Sequence, residues 1–129
     1  MTIISMQEAV DLGPAVALFR SLGDPARLAI VQRLARGEAT VSDLIVDLGL
    51  AQSTVSAHVA CLRDCGLVAG RPEGRKVIYS LTHTELIDLL AQAETLLAAT
   101  GNAVSLCPVY GTLSAGADSA ASTVGLANR

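Results

Sequence analysis

Three cysteines, Cys61, Cys65 and Cys107, and one nearby histidine, His58, carry most of the chemical latitude in this chain. Cys61 and Cys65 are four residues apart. On a helix such side chains are neighbours, so two sulfurs can chelate one ion. A pair of thiolates leaves a site open, and Cys107, in Ser105-Leu106-Cys107-Pro108, would complete three sulfurs. An all-thiolate set favours soft ions. Taken singly, each thiol also suits packing as a small hydrophobe. The pair permits a second chemistry: Cα atoms four apart on a helix lie about 6 Å from one another, within disulfide range, although the helix would strain the bridge. Cys61 with His58 also has the residue types of a hydrolase. Nothing in the sequence supplies an oxyanion hole or a third orienting group, so no enzyme is expected.

The elements that must position these residues follow from composition and patterning. The chain has 129 residues, enough for one domain, and 51% are hydrophobic although the aromatics are only Phe19, Tyr79 and Tyr110. Ala and Leu dominate the apolar mass, and both favour helices. The formal net charge is −3, which argues against non-specific clamping onto a polyanion. No apolar run approaches the roughly 18–20 residues of a spanning helix, and Glu8 and Asp11 interrupt the start where a signal peptide would be apolar. The expected setting is cytoplasmic, with reduced thiols and no membrane.

Residues 1–13 give a weak helical signal. A helix is expected from Ala15 to Gly23. Asp24 and Pro25 then restart one as N-cap and first helical residue. Thr40-Val41-Ser42-Asp43 is a variant capping box before a short helix that stops at Gly49. A tight turn leads into a helix from Gln52 to Cys65, closed by Gly66. Two short helices about such a turn make a helix-turn-helix candidate. Two β-prone runs about Pro72-Glu73-Gly74 predict a hairpin. Thr82-His83-Thr84-Glu85 reads as a second capping box, opening a last helix that ends near Gly101. That helix is apolar over more than one face and wants a partner, most simply its own copy in a homodimer. The expected domain spans 1–110, and residues 111–129, rich in Gly, Ala and Ser, are expected to be a flexible tail.

On a helical wheel Val55, Val59 and Leu62 fall on one face. Ser53, Ser56, Ala57 and Ala60 fall opposite, with Gln52 and Arg63 on one flank. A small, polar outer face admits close approach to a major groove, where Ser, Thr and Gln can bond bases or phosphates. Arg71, Arg75 and Lys76 give the hairpin a basic tip suited to phosphates. Residues 51–81 hold four basic against two acidic side chains, whereas residues 82–128 hold four acids and no Lys or Arg.

The stretch from Phe19 to Leu28, the run Gln52-Ser53-Thr54-Val55-Ser56-Ala57-His58-Val59, Leu62-Arg63, Gly66-Leu67-Val68 and Gly74-Arg75-Lys76-Val77-Ile78-Tyr79 together resemble the ArsR/SmtB family of winged-helix repressors. The resemblance covers about residues 15–100. It implies a mainly α, homodimeric winged helix-turn-helix (α-α-α-α-β-β-α), bound to double-stranded operator DNA until an inducer releases it. Carried over by position, Gln52, Ser53, Thr54, Ser56 and His58 lie on the DNA-binding helix, and Arg75 and Lys76 on the wing.

The family's sensor sites differ in location. The arsenic-type site needs cysteines around the first helix of the helix-turn-helix, where Glu38–Leu44 has none. A zinc site along the last helix would find His83, Glu85, Asp88 and Glu94 but no second histidine. Cys61 and Cys65 on the DNA-binding helix, with Cys107 after the last one, look like the CmtR-type sensors of this family. That likeness implies Cd(II) or Pb(II) as inducer, with Zn(II) or As(III) possible at the same sulfurs. A redox- or persulfide-responsive repressor using those cysteines is the alternative.

Overall fold

The computed structural model describes residues 11–106. The chain runs α1 (Gly13–Leu22), α2 (Pro25–Ala35), α3 (Val41–Leu48), α4 (Gln52–Asp64), β1 (Val68–Glu73), β2 (Lys76–Leu81) and α5 (Thr84–Ala99). This is the expected winged helix-turn-helix order. Residues 1–10, Cys107 and the expected tail at 111–129 lie outside the described residues.

Local chemistry places the helix starts. Helix α1 opens two residues earlier than expected, because Pro14 fits its first turn. Asp24 caps α2, its carboxylate accepting from the Ala26 N–H at 3.2 Å. At α3 the capping box closes both ways: Asp43 N–H donates to Thr40 Oγ1 at 3.1 Å, and Thr40 N–H to Asp43 Oδ2 at 3.0 Å. Replacing Thr40 with alanine should cost about 1 kcal/mol, read as a lower urea midpoint at unchanged m-value. Gly49 ends α3 at φ 68°, a left-handed geometry that favours glycine. The next helix starts after Leu50 and Ala51, bent by 118° from α3, within the range for a helix-turn-helix.

Two expectations are corrected. The hairpin tip is not Pro72-Glu73-Gly74. Glu73 pairs with Lys76 and Pro72 with Val77, so the tip is Gly74-Arg75, with Gly74 at φ 63°. Proline is tolerated in β1 because the sheet has two strands and its outer edge needs no donor. The second capping box does not form. His83 is the N-cap of α5 and makes no side-chain cap bond. Thr82 instead donates its hydroxyl to the Gly66 carbonyl at 2.6 Å and its N–H to Leu67 O at 3.1 Å. A tertiary partner has taken the group that the local pattern assigned to the cap.

The core joins Ile30, Val31 and Leu34 of α2, Leu44 of α3, Val55, Val59 and Leu62 of α4, Val68 of β1, and Leu86 and Leu90 of α5. Ala39 joins them and pairs with Tyr79 by two backbone bonds of 3.0 and 2.8 Å, adding a one-residue third strand to the wing. In α1 the buried residue is polar, Ser21, while Leu12 just before it and Val16 and Phe19 within it face outward.

Candidate nucleic-acid interface and metal site

Helix α4 is fixed by its buried face. Val55, Val59 and Leu62 are at most 2% exposed, so Gln52, Ser53, Ser56, Ala57 and Arg63 must point outward, and they do. Thr54, His58 and Cys61 lie half-buried at the edge between the two faces, and Ala60 is also partly covered. The exposed N-terminal half of α4 thus carries hydrogen-bonding groups on a surface with no bulky side chain.

The wing stands beside it. Gly70 is required there by contact: a Cβ would lie 2.8 Å from Val77 Cγ1 and 2.9 Å from Tyr79 Cε1. Arg75 occupies the tip and Lys76 the first position of β2, both exposed. Arg71 is engaged differently. Its guanidinium grips Glu38 with two bonds of 3.0 and 3.1 Å and reaches Glu73 at 3.4 Å. The Arg71 hydrogen bond, then its charge, holds the Glu38 carboxyl below its ordinary 4.5, and Glu38 in turn raises Arg71. Backbone and side-chain hydrogen bonding with Thr40 lowers Asp43 from 3.8. Both carboxyls are depressed on folding, so what they add to stability is whole above those ordinary values and disappears as pH falls through the lowered ones.

At the other end of α4, Cys61 is half-buried and Cys65, the C-cap residue, is exposed; neither is in a disulfide. The Cys65 sulfur lies 3.0 Å from the hydroxyl of buried Ser21. The His58 ring turns to the start of α2: Arg27 Nη1 is 3.2 Å from its Nδ1, and Asp24 Oδ2 is 3.8 Å from its Nε2. Arg27 also donates to the carbonyls of Ser21 at 2.8 Å and Arg20 at 3.3 Å. His58 is therefore engaged with α2.

Among the described residues no three His, Cys, Asp or Glu side chains gather as a metal site, and His83, Glu85, Asp88 and Glu94 are not brought together in that way. Cys61 and Cys65 are the free cysteines among the described residues, and no described side chain completes a group of three with them. Cys107 lies outside the described residues, but the chain leading to it is anchored. Gln32 Nε2 donates to the carbonyls of Ser105 at 2.9 Å and Leu106 at 3.1 Å, the Leu106 N–H bonds the Glu94 carboxylate, and the Leu106 side chain packs on the core.

Residues 24–69 match the family model for bacterial regulatory proteins of the arsR family. A probable mercury resistance operon repressor from Streptomyces lividans is 39% identical over 89 residues, covering 69% of this chain and 71% of the relative. This chain belongs to the arsR family. Among solved structures, HlyU of Vibrio cholerae matches this arsR-family chain at TM-score 0.59 and 35% identity, covering 66% of it and 92% of HlyU. The cadmium metal-sensor CmtR of Mycobacterium tuberculosis matches at TM-score 0.53 and 42% identity, covering 60% and 80% respectively. The family is described as one of bacterial regulatory proteins, so a regulator rather than a Cys61–His58 hydrolase is what membership supports. Among the described residues no single helix is long and apolar enough to cross a membrane.

Sequence reasoning missed Ser21, Arg27, Glu38 and Gln32. Each earns its place through a partner at least six residues away, and no local pattern announces such a contact.

Proposed function

We propose that this arsR-family chain is a metal-responsive repressor that holds operator DNA as a homodimer and lets go when a soft ion, Cd(II) or Pb(II), is held by Cys61, Cys65 and Cys107. The observation that carries this reading is the placement of Cys61 in the last turn of α4, and Cys65 at its C-cap, on the same helix that presents Gln52, Ser53 and Ser56 outward. A ligand held there acts on the DNA-reading element itself. The names of two relatives, one a mercury resistance repressor and one a cadmium sensor, support a thiophilic inducer.

The DNA face is read as Gln52, Ser53, Thr54, Ser56 and Arg63 on α4 with Arg75 and Lys76 on the wing, and His58 behind them. A dimer is supported by uncovered apolar side chains on the two terminal helices: Val16 and Phe19 of α1 are 47% and 60% exposed, and Leu96 of α5 is 65% exposed. Pairing two copies would present two α4 helices to successive major grooves, about 34 Å apart.

The docked position of Leu106 bears on the third sulfur. Thr82, just before α5, touches Gly66, next to Cys65, whereas Leu106 is bonded to Glu94. Cys107, the next residue, is read as the third sulfur, supplied by the same chain or by the second copy.

When bound, a soft cation replaces thiol protons, so its affinity falls as pH is lowered. Fluorescence anisotropy of labelled operator, titrated with cadmium, lead, zinc and arsenite, tests the reading. Release by cadmium or lead supports it. Release by peroxide with no response to metal would favour a thiol redox switch at the same cysteines.

The Glu38 contact gives a separate expectation. Glu38→Gln removes the charge that competes with phosphate for Arg71. Operator affinity should rise, and the slope of log K against log salt should steepen by about 0.9, one further phosphate contact. An unchanged slope would show that Arg71 does not reach DNA.

A further inference from the structure

Ser21 is the one buried polar residue among the described residues, 4% exposed, in the last turn of α1. Its hydroxyl meets the sulfur of Cys65 at 3.0 Å across 44 residues of sequence. A buried hydroxyl without a partner is costly, so Ser21 and Cys65 are bound to move together or lose a hydrogen bond. The junction is reinforced on its other side. Arg27 of α2 holds the carbonyls of Arg20 and Ser21 and the ring of His58 at once, so the end of α1, the start of α2 and one edge of α4 form one connected unit. Helix α1 in turn carries Val16 and Phe19 on its outer side, the face assigned to the second copy.

We infer that Ser21 is a positioning residue that passes occupancy of the Cys61–Cys65 site to the dimer-facing helix α1. The inference rests on reading those cysteines as the sensor. Drawing the Cys65 sulfur toward an ion shared with Cys61 takes it from the Ser21 hydroxyl. The buried hydroxyl either follows, shifting the last turn of α1 beneath the dimer face, or stays unsatisfied. A small shift there changes the spacing of the two α4 helices, which the operator's half-sites fix. Metal binding and DNA binding are thereby coupled through α1 as well as through α4 directly.

The test compares wild type, Ser21→Ala and Cys65→Ser as full chains. Four quantities are read: operator affinity without and with cadmium, cadmium affinity, and the rate at which iodoacetamide alkylates Cys65 in the metal-free protein. Ser21→Ala should keep metal-free operator affinity within about threefold of wild type, and cadmium affinity should rise by no more than about fivefold, because the ion no longer takes the sulfur from a partner. The ratio of operator affinities without and with cadmium should shrink by about fivefold, the scale of one buried hydrogen bond. Cys65 should alkylate faster, since its sulfur has lost its partner. A wild-type ratio in Ser21→Ala overturns the inference while leaving the cysteine reading intact. An unchanged alkylation rate shows that the Ser21–Cys65 contact is not held in solution, and it also overturns the inference. If Cys65→Ser still releases DNA with cadmium, the cysteine reading itself fails and the inference falls with it.

Discussion

Serine in place of Cys65, or of Cys61, should abolish cadmium-driven release of operator DNA. Oxygen for sulfur keeps the size of the side chain and removes the soft donor. Losing a partner merely outside a metal's ligand shell costs 10–100-fold in affinity, so losing a direct ligand should cost about a hundredfold or more. The two sulfurs that remain form a poor site for a soft ion. Metal-free operator binding should stay within about threefold of wild type, because Cys65 is exposed, Cys61 is half-buried, and neither lies on the outer face of α4. The measurement is the operator titration with cadmium, alongside the thiolate-to-metal absorption that reports how many sulfurs are bound. Cys107→Ser should give an intermediate result, with two bound sulfurs and weak release. Full release from all three single variants would place the sensor elsewhere.

Leu62→Ala should be the most damaging single change to the fold near the site. Leu62 is wholly buried on the core face of α4, and its carbonyl accepts the Leu67 N–H at 3.0 Å in the turn that closes the helix. Truncation to alanine loses transfer energy and leaves a cavity, together about 3 kcal/mol. A domain of this size has only about 5–15 kcal/mol to lose, and its melting temperature should fall by about 10–20 °C. Differential scanning calorimetry and urea unfolding at constant m-value would read it. A loss below about 1 kcal/mol would mean that the site collapses around the missing atoms. Because Leu62 follows Cys61, the same variant should also loosen the pair of sulfurs. The cysteine effects are therefore best measured in the intact core.

Much of the fold was legible in the sequence because its signals are local. Asp24-Pro25, the Thr40–Asp43 box and Gly49 each act within about four residues, and a helix start needs nothing farther away. The wheel of α4 was legible for the same reason: a period of 3.6 and three branched or Leu side chains decide which face is covered. The hairpin tip falls at Gly74-Arg75 rather than Pro72-Glu73-Gly74, because Pro72 satisfies turn and edge-strand geometry alike and only the pairing with β2 chooses. The Thr82–Glu85 box failed because the Gly66 carbonyl, sixteen residues back, offered Thr82 a competing partner.

The order of elements, the small polar face of α4, the basic wing and the i, i+4 spacing of Cys61 and Cys65 are properties of neighbours along the chain and can be read from it directly. Which groups are already engaged depends on the folded arrangement. It gives Arg71 to Glu38, turns His58 to Arg27, sets Ser21 against Cys65 and ties residues 105–106 to Gln32. The physical reason is that hydrogen bonds and ion pairs form wherever packing brings donors and acceptors together. Packing is set by the hydrophobic core, whose contacts span the whole chain rather than a few residues of it.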